Sequence, residues 1–260
     1  MSQVNSTQAA VMKTLRTSAK GRKVVLNVGS GSNRKERLDA RYHDEKAWFE
    51  LRLDMDAKAK PHIVGDLTDL SMLPDGAVTA VHSAHNLEHL EAHRVVPALA
   101  GFFRVIAWGG ELVVHTPDLQ TLAAFVAQGK LEVALYEAPG GKVTPLDAIY
   151  GMRDALARGD TLMAHRTGFT HATLAEKLKE AGFSNILIVR DRFDLMVVAR
   201  KLPGNHAQRK NTVEVKVTER YNPREAVAVT VENLANLPHP GLMRRGAQPD
   251  ELDLPPSPVG

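Results

Sequence analysis

Two hydrophobic periods alternate along the chain. Short, nearly continuous apolar runs occur at 24–28 (VVLNV), 48–54 (WFELRLD), 62–66 (HIVGD), 78–83 (VTAVHS) and 111–116 (ELVVHT). The first, a nearly continuous β-branched run, suits a strand buried on both faces of a parallel sheet, and the others read as further strands. Between the last two, Val95, Leu99, Phe102, Phe103 and Ile106 recur at helical spacing over 94–106, and Gly109-Gly110 predicts the stop. Residues 6–19 place Ala10, Val11 and Leu15 on one side of a first helix. Residues 173–181 (TLAEKLKEA) read as an amphipathic helix ended by Gly182.

Two further apolar runs, 185–190 (NILIVR) and 194–200 (DLMVVAR), are joined by only a few residues. So short a connection rules out a parallel crossover, so these two strands run antiparallel to each other. The expectation is an α/β chain: a Rossmann-like, doubly wound, mostly parallel seven-stranded sheet with a C-terminal antiparallel hairpin. The first domain spans 1–202. Within it, 119–170 leaves the strand rhythm and forms an insertion on the side where loops build sites. Beyond it, 212–217 (TVEVKV) and 226–231 (AVAVTV) alternate cleanly and predict a small β extension over 203–237, as a hairpin or paired with a partner chain. The proline-rich 238–260 has few large apolar groups and is expected to be a disordered tail.

The first strand runs into a turn with glycines at Gly29 and Gly31. Glycines at alternate positions let the backbone turn tightly and approach a ligand closely, or simply pack a strand-to-helix turn. Arg34 stands where a dinucleotide fingerprint has its third glycine. In a doubly wound sheet an acid at the tip of the second strand lies beside that turn, where it can accept both hydroxyls of a ribose. Asp54 holds this place, with Asp56 as the alternative. Asp66, ending the third strand, can take the exocyclic amine of an adenine while Leu67 packs on the ring.

Charge and composition then narrow the classes. The net charge is +3 with acidic and basic residues interspersed, which implies no nucleic-acid partner. Cysteine is absent, so no disulfide, thiolate nucleophile or thiolate metal site exists. No apolar run is long enough to span a bilayer and residues 1–20 lack a signal-peptide core, so the expected location is cytoplasmic.

The succession LNVGSGSN, LRLDMD, IVGDL, SAHNLEHL and FFRVIAWGGELVVHTPDL resembles the class I S-adenosylmethionine-dependent methyltransferases. Among them it is similar to enzymes associated with lipopolysaccharide and other cell-surface glycan synthesis. The resemblance covers about 23–201, and its strongest matches are LEHL at 87–90 and the pattern over 104–118. Asn27 stands where many members have an acid, Ala107-Trp108 replaces a Lys-Pro, and 78–80 lacks an Asp that commonly opens the fourth strand. The resemblance implies S-adenosyl-L-methionine as cofactor, held by Asn27, Gly29, Ser30, Gly31, Asp54, Met55, Asp66, Leu67, Ser83 and His85. It also makes 119–170 a substrate-covering insertion over a small-molecule or glycan acceptor. A homodimer through the C-terminal extension is a further expectation.

Methyl transfer to a sugar hydroxyl needs a group to take the proton, and histidine suits that near neutral pH. His85, directly after the fourth strand, is the first candidate; His165, from the insertion, and His89, one helical turn beyond His85, are the others. Glu88 can orient a histidine or cap a helix. His85, Glu88, His89 and Asp118 fit no zinc spacing, so no metal is expected. A module that holds the cofactor or a nucleotide without catalysis is the alternative from another class. A methyltransferase for another small molecule or a macromolecule is a third reading. The absence of an Asn-Pro-Pro-Tyr kind of tetrapeptide where SAHN stands argues against methylation of base amines.

Overall fold

A computed structural model of the chain describes residues 2–32, 38–138, 141–203 and 215–218. The first helix, α1 (Ser2–Thr14), continues into a π turn at Leu15–Ala19, which Lys20 ends in a left-handed conformation. β1 (Lys23–Val28), β2 (Trp48–Asp54), β3 (Ile63–Val64), β4 (Val78–Ala84) and β5 (Ile106–Pro117) run parallel. α2 (Ala92–Val105) connects β4 to β5. After β5 come α3 (Leu119–Ala127), the small antiparallel pair β6 (Tyr136–Ala138) and β7 (Gly141–Val143), α4 (Pro145–Tyr150), α5 (Arg153–Ala157) and α6 (His171–Glu180). β8 (Ser184–Asp191) and β9 (Asp194–Arg200) close the sheet as the expected hairpin, β9 running against both β5 and β8.

The strand order is β10-β8-β9-β5-β4-β1-β2-β3, where β10 (Val215–Thr218) is the first run of the C-terminal extension. From β1 the chain steps outward through β2 and β3, then returns to the other side of β1 at β4. That reversal leaves a crevice at the carboxyl ends of β1 and β4, the place where open α/β sheets bind ligands. The eighth strand is a difference from the sequence reading. β10 pairs in parallel with β8 over Ile186–Val189 and covers an edge whose backbone groups would otherwise be unpaired. The other alternating run, 226–231, and the tail from 238 lie outside the described residues.

Strand alternation divides the sheet's side chains between two layers. Val24, Leu26, Val28, Leu51, Val81, Leu112 and Val114 face one way and pack with Val11 of α1, Val95, Leu99 and Phe102 of α2, and Leu174 and Leu178 of α6. On the opposite face Val25, Ala80 and Val113 are covered by Leu38, Tyr42 and Trp48. The paired glycines do not stop α2. It ends at Val105 because Ile106 is already extended, and Gly109 and Gly110 lie within β5. There β5 bulges against β4 between Val78 and Ala80, and a Cβ at Gly110 would lie 2.3 Å from the Thr79 carbonyl oxygen. Close backbone approach is what requires that glycine.

Candidate functional site

A cleft of about 1650 Å³ opens at the carboxyl ends of β1, β2, β4 and β5. That exceeds the roughly 300–1,000 Å³ of an ordinary ligand pocket, so two molecules can share it. One half is built from the glycine turn. Gly29 and Gly31 have φ of 60° and 59°, in the left-handed region. Asn86 reaches across from β4: its amide donates to the Val28 and Ala84 carbonyls, both at 2.9 Å. A Cβ at Gly29 would lie 1.8 Å from Asn86 Oδ1. Sequence reasoning assigned no role to Asn86, because only the pairing of β4 with β1 brings it there.

Asp54 closes this half. Its Oδ2 accepts from the Gly31 amide at 2.7 Å and its Oδ1 from the Asp56 amide at 2.8 Å, so one carboxylate joins the glycine turn to the tip of β2. Asp56 is instead spent capping a 3-10 turn through the Lys58 amide. Met55 is 55% exposed and lines the cleft with Ser30, Asp66 and Leu67. The Asp66 carboxylate accepts from the Thr68 amide and from Arg94, each within 3.0 Å, so Arg94 joins the wall here.

Two expected cofactor residues sit differently from the others. Asn27 lines the cleft but is buried, its amide donating to Glu50 at 2.7 Å and its Oδ1 facing His82 Nδ1 at 3.0 Å. Ser83 is fully buried and is not among the residues lining the cleft, whereas its neighbours His82 and Ala84 are. The period of two along β4 turns Ser83 to the packed face.

The other half of the cleft gathers histidines and acids. His85 has φ of 54°, uncommon for a residue with a side chain and concentrated at functional positions. Its amide donates to the His115 carbonyl at 2.8 Å. Its ring is 49% exposed, with Nδ1 at 3.3 Å from Glu88 Oε1 and Nε2 at 3.9 Å from Asp194 Oδ2. Glu88 is buried and its Oε2 accepts from Thr116 Oγ1 at 3.0 Å. Burial pulls the His85 imidazole down, and Glu88 outweighs it, so its pKa rises. Burial pushes the Asp194 carboxyl up.

His89 and His165 stand edge to face at 4.8 Å between ring centres. Each places Nδ1 against a main-chain carbonyl, His89 on Ala164 at 3.1 Å and His165 on Ala148 at 3.0 Å. His165 reaches this place because the Arg166 and Thr167 amides both donate to the Glu88 carbonyl. Burial lowers its pKa. Asp118 is not part of the group. Its carboxylate caps α3 through the Gln120 amide and pairs with Arg190 at 3.0 Å.

Several lining residues carried no legible signal in the sequence. His115 lies with Nε2 at 3.7 Å from Asp39, and His82 is held neutral by burial, its pKa lowered to about 3. Tyr136 stacks on Phe193 at 6.2 Å, and both line the cleft beside Asp194. These side chains come from loops and from alternate positions of strands that otherwise read as core.

The 119–170 segment supplies one wall of the cleft through Tyr136, Val143, Asp147, Ala148, Met163 and His165. Asp147 ties it together. Its Oδ2 accepts from the Thr144 amide and hydroxyl in a capping box, and its Oδ1 accepts from Arg153 Nε at 2.8 Å. Burial raises its carboxyl, and the bonds from Arg153 and Thr144 overcome that and pull it down to about 2. A depressed carboxyl contributes stability above its unfolded pKa, near 3.8, and loses it as pH falls from there toward 2. Asp147→Asn is therefore expected to cost roughly 1.5–3 kcal/mol near neutral pH. Thermal melts should show the variant several degrees lower at pH 7. The gap should narrow as pH drops below about 4, and a gap constant with pH would show that the charge is not what stabilises the segment.

No family model and no curated protein matches the chain. Solved structures of similar shape include a SAM-dependent methyltransferase from Archaeoglobus fulgidus, with 17% identity and a TM-score of 0.47 over 75% of this chain and 94% of that one. A 1,6-didemethyltoxoflavin-N1-methyltransferase from Burkholderia thailandensis, solved with S-adenosylhomocysteine, is 17% identical with a TM-score of 0.45 over 76% and 78%. A SAM-dependent methyltransferase from Methanosarcina mazei is 15% identical, with a TM-score of 0.46 over 70% and 94%. None of these likenesses bears on a glycan acceptor.

Proposed function

We propose that the chain is an S-adenosylmethionine-dependent methyltransferase acting on a hydroxyl of a sugar or glycan-type acceptor. The observation that carries this reading is the union, in one cleft, of a glycine turn closed by Asp54 with a half-exposed His85 backed by the buried Glu88. The residues fit the cofactor. The left-handed turn at Gly29 to Gly31 brings bare backbone to the cleft, the Asp54 carboxylate suits a ribose diol, and Met55 and Leu67 supply apolar cover for a base. When bound, S-adenosylmethionine supplies an electrophilic methyl group on a sulfonium.

The chain's own task is to place the acceptor and take its proton. Glu88 faces Nδ1 of His85 and favours a proton there, which leaves Nε2 to receive the hydroxyl proton. Asp194, on the Nε2 side, favours the imidazolium that results. Tyr136 and Phe193 offer aromatic faces next to Asp194, a pairing of apolar surface and carboxylate that suits the two sides of a sugar ring.

Calorimetry on the full chain tests the cofactor assignment. S-adenosylmethionine and S-adenosylhomocysteine should bind in the micromolar range, about −8 kcal/mol. NAD should bind much more weakly, and equal or tighter binding of NAD would refute the assignment.

A further inference from the structure

We propose that Glu88, His89 and His165 form a binding site for a divalent first-row transition-metal ion. The inference goes beyond methyl transfer and does not depend on it. One carboxylate oxygen of Glu88 and one ring nitrogen from each histidine lie within 4.8 Å of one another. Ligand atoms around a bound ion are about 3–3.5 Å apart at ordinary metal–nitrogen and metal–oxygen lengths, so a small closure of the two rings completes the set.

Three further observations point to a ligand here. First, both histidines direct Nδ1 at a carbonyl oxygen, of Ala164 and of Ala148. A carbonyl only accepts, so Nδ1 carries the proton in both rings and Nε2 is left with its lone pair, the state in which histidine binds metal. Second, Glu88 is 1% exposed and the nearest donor to its Oε1, His85 Nδ1, stands off at 3.3 Å without hydrogen-bond geometry, so that oxygen keeps a lone pair to offer. A buried carboxylate oxygen with so distant a partner gains from a cation that meets it directly. Third, the two chain segments are fixed to each other by main-chain bonds, the Arg166 and Thr167 amides donating to the Glu88 carbonyl at 2.7 and 3.1 Å. The ligands therefore sit on a rigid frame.

Two imidazoles and one carboxylate suit zinc, cobalt, iron or manganese better than calcium or magnesium, which prefer all-oxygen sets. Three protein ligands leave coordination positions open. His89 and His165 both line the cleft, so an ion held there would border it. A water bound there would become more acidic.

The test uses the full chain, free of any histidine tag and stripped with a chelator. It is titrated with Zn²⁺ by calorimetry and with Co²⁺ by visible absorption. The expected result is one ion per chain and Co²⁺ bands of nitrogen and oxygen coordination. His89→Ala and His165→Ala should each weaken binding by at least about 100-fold, beyond the roughly 10- to 100-fold cost of losing a residue that only orients a ligand. His93→Ala, which removes an exposed histidine of α2, should bind as the native chain does. Should an alanine variant lose the native far-UV circular dichroism, His165→Gln takes its place. Absence of saturable Zn²⁺ binding by the native chain would overturn the proposal, whatever the variants do. So would unchanged binding in both folded cluster variants, or its loss in His93→Ala.

Discussion

His85→Ala is expected to lower turnover of a hydroxyl acceptor by roughly 10²- to 10⁴-fold, the usual worth of a positioned general base. Its affinity for S-adenosylmethionine should stay nearly intact, since the glycine turn and Asp54 lie in the other half of the cleft. The residue's φ of 54° complicates the alanine, which adopts that conformation at a cost. His85→Asn is the better control, because asparagine tolerates the left-handed region but has no basic nitrogen. Steady-state kinetics on both variants should show the loss in kcat, with the Michaelis constant little changed. Full turnover in His85→Asn together with none in His165→Gln would move the proton to His165. Full turnover in both would leave His89 as the remaining histidine candidate for the base.

Asp54→Ala should weaken cofactor binding by roughly 1.5–3 kcal/mol, a tenfold to more than hundredfold rise in Kd. Two effects act together. The substitution removes the charged acceptor for a ribose diol, and it deprives the Gly31 and Asp56 amides of their partner, so the turn is no longer held to the tip of β2. Asp54→Asn keeps an oxygen for one amide and loses the charge, so it should fall between the native chain and the alanine variant. Calorimetry with S-adenosylhomocysteine reads the difference. An affinity unchanged in Asp54→Ala would pass the ribose to Asp56, whose carboxylate would then have to leave the Lys58 amide.

The amino-acid sequence by itself determined the central strands of the sheet and the glycine turn with its facing acid. The β-branched run of β1 buries both faces, and β1, β2 and β4 fall where the pattern of apolar runs puts them. The short link between β8 and β9 admits only an antiparallel pair. Gly29, Gly31 and Asp54 were legible for the same reason: a turn needing left-handed backbone and an acid at a strand tip are local requirements written within a few residues.

What depends on long-range packing was not legible. The helix before β5 ends without help from its glycines, and Gly110 answers instead to the Thr79 carbonyl of a neighbouring strand. Ser83 looked like a cleft residue until strand alternation placed it on the packed side. The histidines show the division most clearly. SAHNLEHL marks the segment as chemical, but three imidazoles and a buried carboxylate acquire different tasks only in three dimensions. His85 turns to Glu88 and the cleft, whereas His89 and His165 are pinned by the carbonyls of Ala164 and Ala148. His165 meets Glu88 because two main-chain amides of the insertion bind one carbonyl of the 87–89 turn. Hydrogen bonds between such distant segments have no period and no spacing in the sequence, so only the folded chain decides them.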